Sequence, residues 1–367
     1  MLLLKMERMA MRLKKTWVDW RGASGQVYFE HRVAQYHEMW GKVAHALGGE
    51  LKALNDGIWE LTARGSKTRI NNYQLEFDNP VVLAMAGDKP LMHELLSSAG
   101  LCVPEHKVFN LYALDVAYDF LEKHPKGSVI KPGNGYGGKG VTTHVLSRKE
   151  ARRAAILASL YGSTLMIEAQ IPGESYRLLV LGGRMVHAVC RRGPRLTGDG
   201  SSRVSELIRT ENERRKNARQ AILDKDRDMV FTLDYQGLDM GSIPAKGRTF
   251  PIKSVNDPER KQAEVRTVYN EDSTTLVCES IKKDAEMAAA VLGSEFVGVD
   301  VITTDPSRPL KETGGIINEV NTTPALHHHY FPGDDEYPQT ALLAVEMLLN
   351  KKKDESAGAS ARSSSKR

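Results

Sequence analysis

At 367 residues, 41% of them hydrophobic and 26% charged, the chain is long enough for two or three domains with substantial cores and is ordinary for a soluble globular protein. Its net charge of +5 is concentrated at the two ends: residues 1–15 and 351–367 each carry +4, and the residues between them carry −3. A nucleic-acid binder would hold its positive charge on the folded body, so that class is excluded.

The chain opens on MLLL, interrupted at once by Lys5, Glu7 and Arg8, too short an apolar start for a signal peptide or a membrane span. No run of about 18 apolar residues follows. The expected setting is the cytoplasm, with no membrane partner. Residues 16–86 mix aromatic-rich segments with short apolar runs and read as a small α/β region. Within it, Val27–Leu47 is helical in its second half and closes on Gly48-Gly49. A helix over Lys89–Gly100 puts Leu91, Leu95 and Leu96 on one face, and Pro104 starts an extended segment. Cys102, Cys190 and Cys278 lie far apart with no Cys-x-x-Cys pair, which argues against disulfides or a zinc site and fits a reducing cytosol.

SVIKP (Ser128–Pro132) reads as a strand, followed by a glycine-rich stretch and a helix opened by a capping box of Ser147 with Glu150. LMIE (Leu165–Glu168) is a further strand. Arg177–Leu181 and Arg184–Arg192 form a hairpin about Gly182-Gly183. Residues 203–275 are more polar and read as a helix with a lid or insertion. Ile281–Leu292 is a helix stopped by Gly293, two strands follow, and an amphipathic helix covers Thr340–Asn350. The tail from Lys351 to Arg367 is polar, of low complexity and expected to be disordered.

Three stretches carry chemistry. VIKPGNGYGGKGV (Val129–Val141) sets Lys131 at a strand end and follows it with Gly133, Gly135, Gly137, Gly138 and Gly140. Glycines there let backbone N–H groups close round phosphate oxygens, with Lys131 and Lys139 supplying charge; a surface loop without a ligand is the competing reading. It is neither a Walker A loop, since Gly140 follows Lys139 where Ser or Thr would be needed, nor a Rossmann fingerprint. Ile167–Gly183 adds a strand ending in Glu168, a break at Pro172-Gly173 and a new strand from Arg177. Its turn offers backbone groups at Ala169–Ile171 to an adenine edge, or is a plain inter-strand turn.

In GGIINEVNTTP (Gly314–Pro324), Glu319 and Asn321 are two apart and share one face of a strand. Upstream, the apolar run Phe296–Ile302 contains a single acid, Asp300. Two carboxylates and a carboxamide are all oxygen donors, suited to a hard cation such as Mg2+ (or Mn2+) rather than zinc or copper. The alternative is a solvated strand edge with a turn-capping aspartate. In the following His327-His328-His329, taken as an extended loop, at most His327 and His329 face one ion; a substrate-loop role and solvent exposure are the other readings.

In this order the elements resemble the ATP-grasp superfamily, and within it the ATP-grasp part of the cyanophycin synthetases. The match runs through GDKPLMHELLSSAGLCVPEH (Gly87–His106), VIKPGNGYGGKGV, IEAQIPGESYRLLVLGG, GDGSSRVSELI (Gly198–Ile208) and RPLKETGGIINEVNTTP (Arg308–Pro324). The resemblance implies an α/β (α+β) ATP-grasp fold over 87–350, after a small N-terminal pre-ATP-grasp α/β domain over 1–86. A nucleotide-lid subdomain at 131–192 would be framed by 87–130 and 195–350. Lys89 and Lys131 would contact ATP, and Gly137, Gly138, Lys139 and Gly140 would form a mobile phosphate loop. Glu168 and Ile171 would frame the adenine. Arg177 and Arg192, on paired strands, would stabilise the transferring phosphoryl group. Asp300, Glu319 and Asn321 would hold Mg2+.

Ser175 stands where the family has its hinge acid, so ribose contact would pass to Glu174. KSVNDPERK (Lys253–Lys261) keeps Asn256 but carries charges where the family is glycine-rich. The region before residue 87 is short, and no Mur-ligase-like half follows; together these argue against repeated cyanophycin polymerisation. The implied activity is ATP-dependent carboxylate–amine ligation through an acyl-phosphate. Its small-molecule partners would be an amino acid or peptide carboxylate plus an amine, with homo-oligomerisation left open. A D-alanine–D-alanine-type or glutathione-synthetase-type ligase is the alternative among enzymes, and a non-catalytic ATP-binding scaffold the alternative outside them. Phosphoryl transfer asks for positioning and charge neutralisation, so no Ser/His/Asp or Cys/His nucleophile is required.

Overall fold

The computed structural model describes residues 2–21, 24–135, 138–191, 194–217, 223, 225, 227–234, 236–252, 270–329 and 339–364. Gly137, Arg192 and the 253–261 run with Asn256 lie outside these. Two helices, α1 (Leu2–Arg21) and α2 (Ser24–Ala46), lead into an antiparallel sheet of β1 (Glu50–Asn55), β2 (Ile58–Ala63), β3 (Ser66–Asn71) and β4 (Gln74–Leu75), paired in that order. Trp59, Leu61 and Ala63 alternate inward along β2, giving the sheet an apolar face that packs on Tyr36, Trp40 and Val43 of α2. Helix α3 (Pro80–Gly87) is capped by Asn79, and α4 (Lys89–Ser98) by Asp88. The buried stripe of α4 is Met92, His93 and Leu96; Leu91, expected on one face with Leu95 and Leu96, is exposed because the helix packs on its other side against the 279–292 helix and the 316–322 strand.

A second body follows: β5 (His106–Phe109), α5 (Leu114–Lys123), β6 (Ser128–Pro132), β7 (Thr142–Val145), α6 (Arg148–Ala158) and β8 (Leu165–Ala169). Its sheet runs β5-β8-β6-β7, antiparallel throughout, and α6 opens with the expected Ser147/Glu150 capping box. Helix α1 docks here rather than beside α2. Its Leu4 and Met11 enter this core, Arg8 donates to Ser159 Oγ and O at 3.1 and 2.9 Å, and Glu7 pairs with Arg152 at 3.0 Å. The subdomain expected at 131–192 therefore has other bounds: its sheet begins at β5 and ends with β8.

The next two strands join a different sheet. β9 (Glu174–Leu181) and β10 (Arg184–Arg191) make the expected hairpin. β11 (Arg195–Thr197), α7 (Val204–Asn217), α8 (Arg227–Asp234) and β12 (Thr249–Pro251) form a small unit around Leu196, Val204, Met229, Leu233 and Phe250. Then come β13 (Asn270–Asp272), α9 (Glu279–Leu292), β14 (Phe296–Thr303), the short α10 (Leu310–Thr313), β15 (Ile316–Thr322) and α11 (Gln339–Ser364). The central sheet runs β13-β10-β9-β14-β15, all antiparallel.

Side-chain parity divides this sheet. Leu178 and Val180 on β9 and Val297, Val299 and Val301 on β14 pack with α9 in one core. The alternate positions face the other way. At one end Leu179, Leu181 and Phe296 are covered by α11 and the N-terminal sheet, while at the other Arg177 and Asp300 line a cleft. On β15 the alternation is broken: Asp300 opposes Glu319 but Val301 opposes Ile317, so Asn318 is a bulge residue. Ile317 and Val320, three apart, can then share the core while Glu319 and Asn321 keep the cleft side.

Helix α11 continues to Ser364, so the tail beyond Asn350 is helical where disorder was expected. Ala344, Val345, Leu348 and Leu349 dock its first half, and Lys351 with Glu295 and Lys352 with Glu76 extend the attachment. A helix nucleated by packing propagates into the following segment at one hydrogen bond per residue fixed. No described helix is long and apolar enough to cross a membrane.

Two outcomes are expected. Deleting residues 351–367 removes two exposed pairs and should cost at most about 1–2 kcal/mol. Leu349→Ala, at a site 2% exposed, should cost about 2–5 kcal/mol. Denaturant unfolding of both variants compares them, and an equal or larger loss on truncation would show that the tail docks more deeply.

His93 gives a pH signature. It is 1% exposed, and its Nε2 donates to Asn318 O at 3.0 Å. Burial first, then the nearby Lys131 charge, pushes its pKa down to about 3 from 6.5. The unfolded chain takes up that proton near pH 6.5 and the folded chain does not. Stability should therefore fall as pH drops from about 6.5 towards 3. His93→Gln keeps a donor for Asn318 O, and its melting temperature should decline less steeply over that range. Parallel acid limbs in the two proteins would refute the assignment.

Candidate functional site

A cleft of 1860 Å3 lies between the 106–169 sheet, the polar end of the central sheet and the 195–252 unit. On its upper wall, register places Val129 opposite Glu168 and Lys131 opposite Met166, so Lys131 and Glu168 are diagonal neighbours on one face. They pair at 2.8 Å with both side chains 5% exposed. The glycine stretch leaves β6 beside them. Gly135, Gly138 and Gly140 have φ of 141°, 70° and 76°, positive values that glycine adopts without a steric penalty. Lys139 stands exposed at the rim and Gly138 beside it, both lining the cleft. The base of the loop is pinned from α4. The Lys89 amide donates to Gly133 O at 3.0 Å, and Lys89 Nζ donates to Gly135 O at 2.7 Å and pairs with Glu319 at 3.1 Å.

The floor is one face of four adjacent strands. Arg177 on β9 directly opposes Asp300 on β14, which opposes Glu319 on β15. The Arg177 guanidinium forks onto Asp300, with Nη2 2.8 Å from Oδ2 and Nε on Oδ1. From β10, Arg191 Nη1 lies 3.2 Å from both Asp300 oxygens, and Asn321 Nδ2 lies 3.4 Å from Oδ2. Arg177, Arg191 and Asp300 are 7%, 2% and 5% exposed. Two guanidiniums on one buried carboxylate leave this spot net positive. Burial pushes the Glu319 carboxyl up and Asp300 adds to that, yet the Lys89 and Lys131 charges outweigh both and hold it below the usual carboxylate range.

The sequence reading chose Arg192, which lies outside the described residues; the guanidinium that reaches Asp300 is that of Arg191. The hairpin explains the difference. Met185 opposes Val180 but His187 opposes Leu179, so Val186 is a bulge. An unbulged hairpin would align residue 188 with Arg177 and put even-numbered residues on the cleft face. The bulge aligns Val189 instead, and Arg191 follows it two positions on.

Glu174 and Ile171 both line the cleft, and Glu174 is paired with Arg195, a residue the sequence reading passed over. The three histidines sit on a 3-10 turn, Leu326–His329, rather than in an extended loop. His328 lines the cleft, while His329 Nδ1 lies 2.9 Å from His187 Nδ1, with hydrogen-bond geometry. The side chain of His327 lies outside the described residues. Among the described residues no group of three or more His, Cys, Asp or Glu side chains is placed to hold a metal ion. The oxygen set of Asp300, Glu319 and Asn321 is two carboxylates and a carboxamide on one face, a donor chemistry that fits a hard cation. Both carboxylates already have cationic partners, so an entering ion would share them with Lys89 and the two arginines. Cys102, Cys190 and Cys278 form no disulfide with one another.

No family model matches the chain. A cyanophycin synthetase from Nostoc sp. (strain PCC 7120) is 30% identical over 272 residues, which is 72% of this chain and 29% of that protein. The glutathione biosynthesis bifunctional protein GshAB of Enterococcus faecalis is 30% identical over 269 residues, 70% of this chain and 34% of its own length. Among solved structures, a bifunctional glutathione synthetase from Pasteurella multocida matches with a TM-score of 0.53 at 22% identity, over 84% of this chain and 43% of that one. The chain thus spans roughly a third of the curated relatives it matches. Its similarity to them and its fold together place it in the ATP-grasp superfamily, where it resembles the ATP-grasp part of cyanophycin synthetase.

Proposed function

We propose that the chain is an ATP-dependent carboxylate–amine ligase that makes an amide or peptide bond between amino acids or short peptides through an acyl-phosphate. The observation that carries this is the single sheet face on which Arg177, Arg191, Asp300, Glu319 and Asn321 meet below a glycine loop flanked by Lys89 and Lys131. The 106–169 body is then the lid, as part of an ATP-grasp domain that follows the N-terminal region.

In this reading Lys131, oriented by Glu168, and Lys89 hold phosphate oxygens, and the amides from Gly138 to Gly140 close over them. Ile171 and the backbone around it flank the adenine, and Glu174 faces the ribose. The substrate carboxylate attacks the terminal phosphorus of ATP; a carboxylate O–P bond forms as the bond to ADP breaks. Arg177 and Arg191 neutralise the charge spread over the transferring phosphoryl oxygens, which water would do less well in a buried site. The amine then attacks the acyl carbon, phosphate leaves, and the nitrogen gives up its proton. Asp300, Glu319 and Asn321 would hold Mg2+, whose chemistry is to bridge and neutralise phosphate oxygens.

The direct test is a screen of amino acids and dipeptides, in pairs, for phosphate release from ATP that depends on both members. ATP binding with no release for any pair would favour a scaffold. Glu319→Ala should lower such release by more than about 100-fold at saturating Mg2+ with little change in melting temperature, since it removes a ligand and no core volume. Wild-type turnover in that variant would remove Glu319 from the metal site. Arg191→Ala should slow single-turnover phosphate release by about 100-fold or more while ATP affinity changes little. Arg191→Lys should recover only part of the loss, because an ammonium cannot meet two oxygens in one plane. Full activity in Arg191→Ala would leave the arginine a structural partner of Asp300.

A further inference from the structure

Among the cleft-facing positions of β14, residue 298 carries no side chain, and the space it leaves is filled. A Cβ built on Gly298 would lie 2.7 Å from Cδ of Arg177 and 3.3 Å from its Nε and Nη1. The backbone gives no other reason for glycine there: φ is outside the left-handed region, and residue 298 lies in the regular part of the ladder, opposite Leu179 and Asn321. The β15 bulge is at Asn318, beyond Asp300, and does not involve it. Arg177 runs flat across the bare strand at Gly298, and its guanidinium meets Asp300 at the next cleft-facing position.

Resting on the ligase reading above, we propose that Gly298 is a positioning residue: by lacking a Cβ it lets Arg177 lie against the sheet, aimed at the transferring phosphoryl group. A methyl group at 298 would need the arginine chain to move by about 1 Å to reach ordinary contact distance. The Arg177 chain can do so by rotating about its own bonds, without moving the backbone of either strand. Its guanidinium would then rise from Asp300 into the space a phosphoryl group would use, and displacements of this size cost on the order of 100-fold in rate. Arg191 and Asn321 still meet Asp300, and alanine suits a strand interior better than glycine, so stability should change little.

The experiment is Gly298→Ala in the full chain, with Arg177→Ala and the double variant. Single-turnover phosphate release should fall about 10–100-fold in Gly298→Ala, with ATP-analogue affinity within about twofold and melting temperature changed by no more than a few degrees. In the Arg177→Ala background, adding Gly298→Ala should change release by less than about twofold, because the residue acts through that arginine. An independent arm follows the Arg177 Nε–H resonance by nitrogen-15 NMR, assigned by its loss in Arg177→Lys. It should shift and lose exchange protection in Gly298→Ala. Equal turnover of wild type and Gly298→Ala, additive losses in the double variant, or an unmoved Nε–H signal would each overturn the proposal. A fall in melting temperature that accounts for the lost activity would do the same. If the wild type itself releases no phosphate with any substrate pair, the ligase reading fails, while the NMR arm still decides where Gly298 puts the arginine.

Discussion

A carboxylate that is 5% exposed within an apolar strand is costly unless its charge is met, and Asp300 is met from two strands at once. Arg177 and Arg191 are equally dependent on it, since neither guanidinium could be buried on that face alone. The triad fixes which way three strands present their side chains. It also sets the polarity of the cleft: Glu319, beside Asp300, is drawn to Lys89, and Lys89 in turn holds the start of the glycine loop. From Glu319, beside that buried charge, one ion pair and one hydrogen bond through Lys89 link the floor of the site to its roof.

The central sheet accommodates that charge by dividing its apolar contacts unevenly. Its α9 side is apolar along the whole sheet. Its other side is apolar only where α11 and the N-terminal sheet cover it. Leu179, Leu181 and Phe296 stop being replaceable by polar groups where that cover lies, and polar groups become tolerable only past its edge. The N-terminal region thus has a definable physical role whatever else it does: it sets how much of the sheet is left over to be a cleft.

Much of this was legible from local pattern. SVIKP, the Ser147/Glu150 capping box, the Gly182-Gly183 hairpin and the stop at Gly293 each rest on a few neighbouring residues, and each is found as expected. Asp300, Glu319 and Asn321 were legible because their spacing obeys strand periodicity and they do share one face. What escaped was parity across a bulge. Nothing in RMVHAVCRR announces that Val186 is an extra residue, so the sequence alone does not show that Arg191 shares the cleft face with Arg177. Which strands share the 106–169 sheet was not legible for a related reason: whether a strand joins one sheet or the next is decided by partners far away in sequence. The tail has the composition of a disordered segment, whereas α11 continues from its docked half as far as Ser364, which composition does not show.

Helix α1 has a consequence for how the molecule is made. It is synthesised before the sheet it packs on, and its partner Ser159 lies 151 residues later. At ~5–20 residues per second on the ribosome, on the order of 10 s separates the two. For that interval Leu4 and Met11 have no native apolar surface to cover them. The second body is therefore not a continuous folding unit, since the helix that completes it is separated from its sheet by the whole N-terminal region. Closing it is a long-range event of the kind that slows folding. The wall of the cleft is among the last parts of the first half of the chain to be finished.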